Sequence, residues 1–67
     1  MKKFTTKQKE AVSKKINDLA EQVMSKEMFT GFLTGDLIMR TLFLGTTAEL
    51  SGNKKVNKFC QECLEKM

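Results

Sequence analysis

The residues predict an all-α chain: a small helical bundle with three main helices, at about 6–28, 36–44 and 54–66, and a short helix at about 47–51. Three observations lead there. Apolar side chains recur at helical spacing towards both ends of the chain, a capping residue stands before each such stretch, and proline is absent throughout. With 67 residues there is room for one domain, spanning 1–67. A chain of this size buries only about 60% of the surface its unfolded form exposes.

In the first helix Val12, Ile16, Leu19 and Val23 follow one another at spacings of four, three and four. Ala20 and Met24 widen that stripe, and Lys14, Lys15, Asp18, Glu21 and Gln22 occupy the other side. Thr5 with Gln8 has the form of a capping box, in which two side chains satisfy otherwise unpaired backbone N–H groups. Lysines in the first turn oppose the helix dipole, so residues 1–5 are expected to fray. Thr30-Gly31 is the expected exit.

The middle of the chain, Met28 to Gly45, is the most apolar part: ten of its eighteen residues are large hydrophobes. The segment TGFLTGD reads as a turn or a broken helix, Asp36 as the N-cap of LIMRTLFL, and Gly45 as the residue after that helix. LIMRTLFL is short and apolar enough for a strand, but no second strand is available to pair with it. Leu37, Ile38, Leu42 and Phe43 form one helical face, and Met39 and Leu44 extend the apolar surface around most of the circumference. Such a helix must be covered on several sides. Thr46 with Glu49 would then cap the short helix, which Gly52 closes. Asn53 caps the last helix, whose stripe is Val56, Phe59, Cys60, Cys63, Leu64 and Met67. Pairing of the first and last helices through their stripes would leave the middle helix to be wrapped by them, by a second copy or by another protein.

Composition narrows the chemistry. Lys2, Lys3, Lys7, Lys9, Lys14 and Lys15 against Glu10 give the first fifteen residues a charge of +5. Residues 16–53 are acidic and the last fourteen basic again, for a net +4. No basic run exceeds a pair, which favours a solubilising surface over a nucleic-acid site. The basic start is followed by no apolar signal segment, and Asp36 and Arg40 interrupt the middle too centrally for a membrane span. A cytoplasmic protein with no membrane partner is expected.

Cys60-x-x-Cys63 is half of a zinc motif, and without histidine one chain cannot complete the four ligands of a structural site. The helical stripe running through both cysteines reads them as small buried hydrophobes. No metal or other cofactor is expected. The residue types offer no general base, no phosphate loop and no activated nucleophile, and the chain is too short for a substrate pocket. An enzyme acting on a small molecule is not expected.

The expected function is therefore protein binding: a small regulator or inhibitor that acts sterically through its apolar helical surface, with a protein partner, a second copy of itself, or both. The partner-binding residues predicted are Phe29, Phe32, Leu33, Met39, Phe43 and, as the orienting charge, Arg40. Size and style fit an accessory protein of a phage or mobile element that antagonises a host protein. The alternative is a small dimeric helix-turn-helix DNA-binding protein. Ala48 and Gly52 take the close-packed and turn positions, and Lys54, Lys55, Asn57, Lys58 and Gln61 face nucleic acid.

Overall fold

The computed structural model describes residues 3–67, and among them every regular element is an α-helix. Four helices follow one another: α1 (Thr6–Val23), α2 (Lys26–Phe32), α3 (Leu37–Leu50) and α4 (Lys54–Glu65). The all-α bundle expected from the residues is the fold observed, but two boundaries move.

α1 opens on the expected box: the Thr5 hydroxyl accepts from the Gln8 N–H, and the Gln8 side chain accepts from the Thr5 N–H at 2.9 Å. The Phe4 N–H donates to the Lys66 carbonyl at 3.0 Å, tying the start of the chain to the end of α4. Met1 and Lys2, where fraying was also expected, lie outside the described residues.

The first correction concerns the end of α1. It stops at Val23 rather than near residue 28, because Met24 turns extended and Ser25 caps a new helix by accepting from the Met28 N–H at 3.3 Å. The next positions of the α1 stripe are Lys26 and Glu27, so the stripe through Leu19 and Val23 breaks off there. The break lets α2 fold back, and Phe32 enters the core, 1% exposed.

The second correction concerns Gly45, which was read as the end of a helix and sits instead inside α3, with no helix boundary at 44–47. The short helix expected at 47–51 is the last turn of α3. Gly45 is glycine because α4 passes against it: a Cβ built there lies 3.2 Å from the Cys60 Cβ. The Asn57 side-chain amide donates to the Gly45 carbonyl at 2.9 Å, which fixes that approach.

α3 ends in a Schellman turn. Gly52 takes φ +76°, the Asn53 N–H reaches the Ala48 carbonyl at 2.8 Å, and the Gly52 N–H reaches Glu49 at 3.1 Å. The Asn53 side chain then accepts from the Val56 N–H and starts α4, as expected.

α3 is the hub. It packs most extensively on α4, and also on α1 and α2. The pairing expected between the first and last helices is secondary: they meet at side chains such as Lys15, whose ammonium lies 4.8 Å from the centre of the Phe59 ring. Ile16, Ala20, Met24, Phe32, Leu44, Ala48, Val56 and Cys60 form the core. The radius of gyration is 11.2 Å, close to the about 11 Å of a globular chain this long. The body is thin, only 15 Å across its shortest axis, so no third layer covers the far side of α3.

Candidate protein-docking surface

α3 partitions its side chains by size. At 100° per residue, Thr41, Leu44, Gly45 and Ala48 share one face, and all four are buried. Three of them are small, which brings α4 close. Met39, Phe43, Thr46 and Leu50 occupy the opposite face at spacings of four, three and four, and Leu42 lies beside them. All five are exposed: Met39 by 57%, Leu42 by 45%, Phe43 by 38%, and Leu50 by 85%. The larger share of the helix's apolar volume therefore faces water.

A cleft of about 420 Å³ runs along this face, between α3 and the end of α2. Met39, Leu42, Phe43 and Thr46 form one wall, and Gly31, Phe32, Thr34 and Gly35 the other. Its lining is free of charged residues. Two hydrogen bonds shape its rim: the Thr34 hydroxyl donates to the Gly31 carbonyl at 2.6 Å, and Asp36 caps α3 by accepting from the Met39 N–H at 2.8 Å.

The residues predicted to bind a partner fall into three groups. Met39 and Phe43 are exposed and line the cleft, and Leu33 is exposed but is not among the lining residues. Phe29 is half-buried and stacks on Phe32, with ring centroids 5.7 Å apart. Phe32 is corrected: its ring packs with Phe29 and Phe43 inside the molecule, so its mutation would test the core and not a surface. Arg40 is half-buried and already engaged, its guanidinium donating to the Asn17 side-chain carbonyl at 2.8 Å and so tying α3 to α1. Ile38, Leu42 and Leu50 were missed as surface residues. Leu50 could have been found from the heptad-like spacing that continues through Phe43 and Thr46.

On α4, Lys54, Lys55, Lys58 and Gln61 are exposed, whereas Asn57 turns inward to Gly45. Ala48 is buried and Gly52 has positive φ, as a helix-turn-helix requires at those positions. The helix before that turn is the full fourteen residues of α3 rather than the short one expected.

Both thiols are buried as the stripe predicts. Burial, reinforced by neighbouring Cys63, pushes the Cys60 thiol up to about 11. Burial likewise raises Cys63, against the partial opposing pull of Lys66 and Lys15. Thiols held neutral in this way are poor nucleophiles. No group of three or more possible metal ligands occurs among the described residues. No described helix is long and apolar enough to cross a membrane. Compared with known proteins, the chain matches no family model, no curated protein and no solved structure.

Proposed function

We propose that this chain is a small non-enzymatic regulator or inhibitor that docks on protein through the outer face of α3 and the cleft beside it, and that it acts by covering its partner's working surface. One observation carries the reading: the helix at the centre of the fold leaves Met39, Leu42, Phe43 and Leu50 outward, while three small residues, Thr41, Gly45 and Ala48, join Leu44 on its inner face. Leaving Met39, Leu42, Phe43 and Leu50 in water forgoes about 25 cal/mol for each Å² of apolar area, a loss that association recovers. The partner-facing set is then Leu33, Met39, Leu42, Phe43 and Leu50, with Phe29 supporting it from behind. An accessory protein of a phage or mobile element that blocks a host protein would work in this way.

The test is affinity capture from the native host with the wild type and with Met39→Ser/Leu42→Ser, at equal loading. Both positions are about half exposed, so the fold should tolerate the change. A drop of at least tenfold in captured partner is expected. Equal capture by both proteins would refute the reading.

A second reading rests on α4, where Lys54, Lys55 and Lys58 are exposed just beyond the Schellman turn. A DNA-binding protein using this face should lose duplex affinity steeply between about 50 and 200 mM salt. Absence of binding at the lower salt would eliminate it.

A further inference from the structure

Leu50 is the most exposed large hydrophobe among the described residues, and it stands at one end of the outer face of α3. The cleft runs along that face from Thr46 to Met39, and at the Met39 end a Cβ built on Gly35 would lie 3.1 Å from the Met39 Cβ. Gly31 also lines the cleft. It lies within α2, where glycine weakens a helix, yet a Cβ built on it would meet nothing within 4 Å. Gly45 owes its missing side chain to a neighbour in the same chain; Gly31 has no such neighbour.

These features complement one another in a single arrangement. We propose that the occupant of the cleft is a second copy of this chain, paired through α3 against α3 about a two-fold axis with the helices antiparallel; this rests on the docking role proposed above. The midpoint between Met39 and Leu50 coincides with that between Phe43 and Thr46. Antiparallel pairing centred there sets Met39 against Leu50 of the other copy, and Phe43 against its Thr46. Each Leu50 then enters the other copy's cleft at its Met39 and Gly35 end, and both clefts fill at once, as an isologous contact requires. The spacing of four, three and four along this seam is that of helices packed side by side.

The area is sufficient for a modest dimer. At their observed exposures, Met39, Leu42, Phe43 and Leu50 offer at most about 340–560 Å² per copy, taking roughly 150–250 Å² for a large side chain. Burying all of it on both copies removes about 700–1,100 Å², the size of a weak, transient contact.

Sedimentation equilibrium of the full chain from about 5 μM to about 1 mM reads this directly. A monomer–dimer equilibrium is expected for the wild type. Leu50→Lys, a favourable residue in the last turn of a helix, should keep the melting temperature and abolish the dimer. Gly31→Ala should raise the melting temperature while weakening the dimer at least fivefold. Met39→Cys/Leu50→Cys should form disulfide-linked dimers on oxidation, because about 16 Å of helix separates the two positions within one chain. A wild type that stays monomeric at 1 mM overturns the self-pairing, as does a Leu50→Lys dimer of wild-type strength or a double-cysteine variant that does not cross-link. Docking on a foreign protein is decided separately, by the capture comparison above.

Discussion

Gly45 and Gly31 are both helical glycines, and they should answer substitution in opposite directions. Gly45→Ala gains up to about 1 kcal/mol of helix propensity, but its methyl would press on Cys60 at 3.2 Å while Asn57 holds the two helices together. Overpacking of this kind costs about 1–3 kcal/mol, so a net loss of about 1 kcal/mol is expected, read as a fall of about 5 °C in a thermal melt. Gly31→Ala meets open space and should gain about 0.5–1 kcal/mol. Sequence alone does not separate the two, because the difference lies in what crosses the helix at each position. The cysteines were legible, since a stripe at helical spacing passes through both. Their burial has a consequence for pH. Cys60 has its folded pKa raised from 9.0 to about 11, so its neutral form is the one the fold favours. Its contribution is complete below pH 9.0 and is lost as pH rises towards about 11. Denaturant titrations across that range should show stability falling with pH, and a Cys60→Ala background should flatten the slope.

At the scale of elements, N-caps were the most readable signal. Thr5, Asp36 and Asn53 were each assigned from residue type, and each accepts the expected backbone N–H, whereas Thr46, assigned in the same way, lies inside α3 and caps no helix. Ser25 escaped notice because Met24 and Met28 on either side continue an apolar pattern, although Lys26 and Glu27 interrupt the stripe itself. Ser25→Ala should cost about 1 kcal/mol and loosen α2 first, seen as faster amide exchange at Met28 and Phe29 than in α4. The continuity of α3 was hidden for a different reason. Its inner stripe is Leu37, Thr41, Leu44 and Ala48, and Thr41 does not look like a core residue in a sequence. Its hydroxyl donates to the Leu37 carbonyl at 2.7 Å, which removes the penalty of burying it. Phe32 shows the same limit from the other side. An aromatic residue in an apolar stretch can serve as core or as contact, and only the fold-back of α2 decides for the core. Phe32→Ala should therefore cost about 3–5 kcal/mol, enough to unfold a chain this small in circular dichroism.

The whole molecule is a thin bundle organised around one helix whose apolar side chains outnumber the neighbours available to cover them. That excess was legible as composition: ten large hydrophobes in eighteen residues, on a chain too short to wrap them. Which of them reach the surface was not, because it depends on α4 packing against the small face of α3 and leaving the large face bare. The outward side chains should then contribute to association and little to folding. Met39→Ser/Leu42→Ser separates the two, with the melting temperature and the captured or self-paired fraction measured on the same sample. A melting temperature within about 5 °C of the wild type, together with loss of both dimer and captured partner, is the expected result. A variant that melts far lower yet still assembles would contradict it, since Met39 and Leu42 would then belong to the core and the outer face of α3 would hold no partner.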